Sequence, residues 1–187
     1  MLAYSSLEHV GLICTGIAMN TSVTIFGALL HMGYHALTKP VLFMAAGNID
    51  QTFHTLEFRR IGSGVVKTLP ITVLLIGLAA VSAMGLPPFG LFVSELTIIS
   101  GGFAAGQVAV SVFVLLALVA CFCGTLQQLS RILLGPTKRE HRNDSRPTDG
   151  LAAMALLLSG LLVFSVWLPA PLIDLMRQAA RIIGGEQ

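Results

Sequence analysis

Between Phe89 and Leu134 the chain runs 46 residues with only two charges, Glu95 and Arg131. As one straight helix at ~1.5 Å per residue, that run would reach ~69 Å, far more than the ~30 Å hydrocarbon thickness of a bilayer. The rest of the sequence is similar: of 187 residues, 55% are apolar and 11% charged, where a soluble domain carries about a quarter charged. This composition excludes an ordinary soluble domain, and disorder as well, which needs high charge and few hydrophobes. The net charge of +2 comes without a dense basic stripe, so no nucleic-acid footprint is present. The expected class is all-α, an integral membrane helix bundle.

Cysteine carries little information. Cys14, Cys121 and Cys123 lie inside apolar runs, and none of the spacings is that of an iron–sulfur or zinc set. They read as small hydrophobes, so any redox chemistry belongs to another polypeptide, and no cofactor is expected. The start, MLAYSSLEHVG, lacks the basic region and cleavage site of a signal peptide.

Five apolar segments follow one another: roughly Leu2 to Met19, Val23 to Gly47, Val65 to Leu86, Phe89 to Leu134, and Gly150 to Leu168. The fourth is too long for one straight crossing. Its GGFAAG stretch, Gly101 to Gly106, is where the pattern predicts a break, since glycine weakens a helix interior. Arg59, Arg60 and Lys67 sit in or at the connection between the second and third segments, while Arg131, Lys138, Arg139, Arg142 and Arg146 lie at or after the end of the fourth. Basic connections stay cytoplasmic. Both are on one side if the fourth segment makes one net crossing as a broken helix, with a hairpin closed at Gly85-Leu86-Pro87-Pro88. The N-terminus is then cytoplasmic and the C-terminus on the far side. Residues 1–168 form the transmembrane domain. In 169–187, Asp174, Arg177, Gln178 and Arg181 lie opposite Leu172, Leu175, Met176, Ala179 and Ile183, an amphipathic interfacial helix or a stabilising tail on a partner subunit.

Ionisable residues at bilayer depth are costly and mark function by default. His31, His35 and Lys39 recur at i, i+4 and i+8, drifting only ~80° around the helix, so they make one polar stripe. Imidazoles titrate near neutral pH, and a stripe of them ending in an ammonium suits proton relay. Pro40 removes a backbone hydrogen bond beside the lysine. The two histidines also have HxxxH spacing, but Met32 stands where a zinc-protease motif needs glutamate. With no third ligand apparent, no metal is expected. Glu95 is the one acid of the fourth segment; beside a helix break lining a hydrated cavity it can exchange a proton. Glu8 and His9 are secondary candidates.

Three stretches carry a family resemblance: LAYSSLEHVGLI (Leu2 to Ile13), ALLHMGYHALTKPVLFMAAGNI (Ala28 to Ile49) and GLPPFGLFVSELTII (Gly85 to Ile99). They resemble the antiporter-like proton-translocating membrane subunits shared by respiratory complex I, multisubunit Mrp sodium/proton antiporters and group 4 hydrogenases. Glu8-His9 after Tyr4-Ser5-Ser6 looks most like component F of hydrogenase-4. The resemblance implies two inverted five-helix repeats, each with one broken helix, of which this chain looks like the second. It also implies that His31, His35 and Lys39 are the central relay and that Glu95 is the ionisable residue of the second broken helix. The first repeat, with its own lysine and glutamate, has no counterpart here.

The function expected is that of a membrane subunit, or part of one, in a redox-driven proton-translocating complex of the cell inner (plasma) membrane. Its expected partners are other membrane subunits and, indirectly, a peripheral redox arm. A subunit of a sodium/proton antiporter, or a non-transporting structural remnant, is the alternative.

Overall fold

The computed structural model describes residues 2–55, 61, 63–135 and 150–185. They form α1 (Leu2–Ala18), α2 (Ser22–Phe53), α3 (Gly64–Thr68), α4 (Pro70–Ala83), α5 (Gly90–Ala104), α6 (Val108–Leu134), α7 (Leu151–Val166) and α8 (Ala170–Gly184). Of the basic connections, Arg59, Arg60, Lys138, Arg139, Arg142 and Arg146 lie outside the described residues.

α2 is the central post, with α1, α4, α5, α7 and α8 packed around it. Its start is set by Asn20, which takes the left-handed φ of 53° that asparagine tolerates. Thr21 then caps the helix, accepting from Thr24 N–H at 3.1 Å, while Thr24 Oγ1 accepts from Thr21 N–H in return. The helix passes through Pro40 and ends at Phe53, six residues beyond the expected Gly47, so it reaches about 48 Å. His54 closes it, its N–H bonding Asp50 O at 2.7 Å.

The direction of each helix follows from its partners along α2. α1 runs antiparallel to it, with Ser5 at Lys39, His9 at His31 and Gly16 at Ala28. α4 starts at the Phe53 end, with Pro70 in its first turn where a missing N–H costs nothing, and brings Ser82 to Thr38. α5 continues the same way, Gly90 lying against Tyr34, Ile98 against Gly27 and Gly101 against Thr24. α4 and α5 are therefore one traverse, interrupted at residues 84–89. The interruption is written in Pro87 and Pro88, which donate no backbone hydrogen bond and push the preceding residue out of helical geometry.

This corrects the sequence-based placement of the break. The GGFAAG stretch is the turn of a hairpin: Gly106 takes a φ of 75°, and α6 returns along α5 with Ser111 against Gly102. Cys121 lines the same cavity as Glu95, although a straight continuation would separate them by about 39 Å. Gln107 pins this turn to the α1–α2 turn by donating to Met19 O at 2.8 Å.

α7 and α8 form a further interrupted traverse. Gly150 lies against Met44 and Phe164 against Tyr34. Past Pro169 the chain bends by 75° and continues, Met176 meeting Gly33 and Gly184 meeting Ile25. Asp174, Arg177, Gln178 and Arg181 are exposed, as are Leu175 and Ile182, while Ala180 is buried.

Five passes thus run along the bundle, α1 covering the stretch of α2 from about Lys39 to its start, and two connections meet at the other end, where Ser63 N–H bonds Gly135 O at 3.0 Å. Among the described residues only α6 is long and apolar enough to cross a membrane by itself, and α7 with α8 qualifies as a bent pair. α4 and α5 are each short because they divide one crossing. α6 turns Phe113, Leu116, Val119 and Leu126 outward, as a lipid-facing helix does. One buried apolar cluster, including Leu30, Val41, Ile49, Phe53, Leu91 and Met154, runs along α2 from Leu30 to its Phe53 end. A second, of Leu12, Ile13, Met19, Ala28, Ile98 and Val114, lies toward the α1–α2 turn.

Candidate functional site

Between the two apolar clusters lies a polar layer. His9, His31, Ser94, Lys39 and Glu95 are all buried. They come from α1, α2 and α5, held together by small residues: a methyl on Gly27 would stand 2.9 Å from Ile98 Cγ1, and one on Gly16 3.1 Å from Ala28 Cβ. Such close approach is how membrane helices pack without a hydrophobic drive.

His9 Nδ1 and His31 Nε2 are 2.9 Å apart, and His31 Nδ1 is 2.9 Å from Ser94 Oγ. Proton counting orients this chain. The one hydroxyl proton of Ser94 goes to Leu91 O at 2.8 Å, so Ser94 accepts from His31 Nδ1–H. Neutral His31 then has its lone pair on Nε2, and His9 must donate its Nδ1–H. That leaves His9 Nε2 as a lone pair, and this atom is buried without a hydrogen-bond partner among the described residues. The His9 ring also sits 5.1 Å, centroid to centroid, from both His31 and His35.

Lys39 donates to Ser5 Oγ at 2.9 Å. It lies about 21 Å from the end of α2 at Phe53 and about 26 Å from its start at Ser22, midway through the bundle. Glu95 occupies the interruption between α4 and α5. Gly85, with a φ of 62°, faces its carboxylate so closely that a Cβ would overlap it. Glu95 also shares a cavity of about 10 Å³ with Glu8, Ala83, Met84, Leu118, Cys121, Phe122 and Thr125, room for about one water. Glu8 further lines a cavity of about 260 Å³ between α1 and α6.

The stripe expected of His31, His35 and Lys39 is therefore one face of α2, turned toward α1. Glu95 is beside a break, as expected, but the break is the one at Gly85. His9, a secondary candidate by sequence, stands in the middle of the layer. Ser5, Ser94 and Gly85 carry no such mark in the sequence; Ser94 directly precedes Glu95, and that adjacency was the available signal. Nothing local links His9 to His31.

Comparison with known proteins places this arrangement in context. Residues 1–120 match the family model described as NADH:quinone oxidoreductase/Mrp antiporter, TM. The chain is 30% identical over 177 residues to an Na(+)/H(+) antiporter subunit of Bacillus subtilis, covering 93% of this chain and 36% of that protein. It is 31% identical over 178 residues to a hydrogenase-4 component F homolog of Methylacidiphilum infernorum, again 93% and 36%. It is 30% identical over 191 residues to NADH-quinone oxidoreductase subunit M of Pseudomonas aeruginosa, covering all of this chain and 36% of that one. The chain thus spans about a third of the length of these relatives. The fold matches a chain of the Mrp complex from Dietzia with a TM-score of 0.81 at 20% identity, over 98% of this chain and 42% of the other.

Proposed function

Because this chain belongs to the NADH:quinone oxidoreductase/Mrp antiporter transmembrane family, we propose that it forms part of a proton-translocating membrane subunit and carries its relay. The relay runs from Lys39 past His35 through His9 and His31 to Glu95. The observation that carries this reading is the convergence of these groups in one buried layer, with 2.9 Å contacts between neighbouring donors and acceptors. A charged side chain such as lysine at the centre of a membrane helix costs about 2.5–3.5 kcal/mol, which marks Lys39 as a functional candidate.

The hydrogen-bond order supplies a mechanism. A proton leaving the Lys39 ammonium crosses by way of Ser5 or an intervening water to the open Nε2 of His9. The resulting imidazolium passes its Nδ1 proton to His31 Nε2. Glu95, with a carboxylate oxygen within 4.8 Å of a nitrogen of each ring, then accepts the Nε2 proton of His31 by way of an intervening water and releases it by way of the Glu8–Glu95 cavity. At the interruption the N–H groups of Met84, Gly85, Leu86 and Phe89 all bond within the turn, so Gly85 acts on Glu95 by close approach and not by donating to it.

The parent assembly is proposed to be a redox-driven complex of the plasma membrane, other membrane subunits flanking this one and a peripheral arm performing the electron transfer. The bundle end where Ser63 meets Gly135, toward which the start of α1 points, is assigned to the cytoplasmic side together with the N-terminus, in keeping with the basic residues in the sequence of its two connections. Identity with an Na(+)/H(+) antiporter subunit supports a second reading, exchange driven by sodium without a redox arm. Acidification of inverted membrane vesicles separates them, being started by an electron donor in the first case and by a sodium gradient in the second. Lys39→Ala should abolish acidification while the complex stays assembled, and unchanged acidification would reduce Lys39 to a packing residue.

A further inference from the structure

We propose that His9, His31 and Glu95 form a binding site for a divalent d-block cation of the Zn²⁺ class. Their side chains come from α1, α2 and α5, are 1%, 0% and 8% exposed, and each offers one donor atom within 4.8 Å of the other two. Two imidazoles and a carboxylate are a protein ligand set that holds zinc with a fourth position open. Imidazole-rich donors favour zinc and its neighbours over magnesium or calcium, which take oxygen ligands.

Independent observations point to a ligand in this place. His9 Nε2 is a buried nitrogen without a partner among the described residues. The metal takes the position of the proton shared between His9 Nδ1 and His31 Nε2; that proton moves to His9 Nε2, so the ring stays neutral, and the new N–H takes a water as its acceptor. His31 is already set for ligation, because Ser94 accepts its Nδ1–H and thereby directs the Nε2 lone pair at the site. This is the outer hydrogen bond that metal-bound histidines characteristically make. Charge also balances, since Glu95 and Glu8 line one cavity and together match a divalent cation.

The geometric adjustment is small. Bonds of 2.0–2.2 Å in a tetrahedron put ligand atoms about 3.4 Å apart. The two ring nitrogens at 2.9 Å open by about 0.5 Å, and Glu95 closes from within 4.8 Å. The HxxxH pair His31 and His35, which sequence spacing suggests, is not the site. Its completing donors come from helices far away in sequence. Binding itself does not depend on the relay reading. Blockade of the relay by the bound metal does.

The test uses the full chain purified from its membrane with its bound subunits, titrated with Co²⁺ and followed by visible ligand-field absorption. The wild type should develop a saturable tetrahedral Co²⁺ band that Zn²⁺ displaces. X-ray absorption of the zinc form should read two imidazole ligands and one carboxylate. Glu95→Gln and His9→Gln should weaken half-saturation by at least tenfold, and Ser94→Ala, which removes the outer partner of His31, by about 10–100-fold. Absence of a saturable band would overturn the site. So would an unchanged band in Glu95→Gln, or a band lost in Cys121→Ala and kept in His9→Gln, which would put the metal in the neighbouring cavity. If a variant fails to assemble, the ligand count on the wild type decides. Proton translocation is measured separately, so a metal that binds without stopping it would count against the relay and leave the site standing.

Discussion

Gly85→Ala is the most informative single change. The residue has a φ of 62°, and an alanine there costs about 1–2 kcal/mol in backbone strain. The added methyl would also overlap Glu95 Oε2 and stand 2.7 Å from Cδ and 2.9 Å from Oε1. Ordinary contact begins at 3.4 Å, so Cδ must retreat by at least about 0.7 Å, and Oε2 by more. Displacing a reacting group by about 1 Å costs up to about 10²-fold in rate. We therefore expect Gly85→Ala to assemble but to lose between about tenfold and a hundredfold of its proton translocation, measured as acidification of inverted vesicles. Gly77→Ala, with nothing within 4 Å of its added methyl, should leave translocation near the wild-type rate. The decisive comparison is Glu95→Asp in each background. By itself it should slow translocation; combined with Gly85→Ala, the shorter acid relieves the clash, so the double variant should be at least as active as Gly85→Ala alone. Independent losses that simply multiply would refute the idea that Gly85 acts through the Glu95 carboxylate.

Glu95→Gln should block translocation altogether while Glu95→Asp keeps part of it, and equal rates in the two vesicle preparations would remove Glu95 from the relay. Gly27→Ala, whose methyl would lie 2.9 Å from Ile98 Cγ1 and 3.1 Å from Ile98 N, should destabilise the α2–α5 crossing by about 1–3 kcal/mol, read as a lower melting temperature in detergent; an unchanged melting temperature would mean the crossing is loosely packed. For orientation, Asn20→Cys should react with an impermeant thiol reagent in intact cells and Ser63→Cys should not, and the reverse pattern would invert the proposed topology.

Local spacing made some of this legible. His31, His35 and Lys39 share a face because their separation is a property of the helix itself, and the extent of α1 and the end of α6 at Leu134 follow from apolar run length. The break was misplaced because two different roles of glycine look alike in sequence. Gly101 and Gly102 lie inside α5, where methyls would meet Val23 and Thr24 in one case and Met19 and Ser111 in the other, so they serve close packing. Pro87-Pro88 marks an interruption in sequence, but whether the chain then reverses or carries on is decided by what α5 packs against. The pairing of His9 with His31 is tertiary for the same reason, the two being 22 positions apart. His9 therefore carried no periodic signal, although it joins α1 to the rest of the polar layer.

The family match ends at residue 120, yet α5 depends on residues beyond that point. Its first N–H, on Gly90, finds no side-chain cap on its own helix; Ser165 of α7 accepts it at 2.7 Å. Ser165 can do so because its own proton is committed to Leu161 O at 2.6 Å. Beside it, Phe164 O takes the Tyr34 hydroxyl at 3.0 Å. The two interrupted traverses thus finish each other's open ends, five residues before Glu95. A shortened version made to fit the boundary of homology, stopping anywhere before Phe164, would leave the Gly90 amide and the Tyr34 hydroxyl without these acceptors in the low-dielectric interior. The smallest piece in which the Glu95 seat is complete is therefore set by hydrogen-bond closure and reaches at least Ser165.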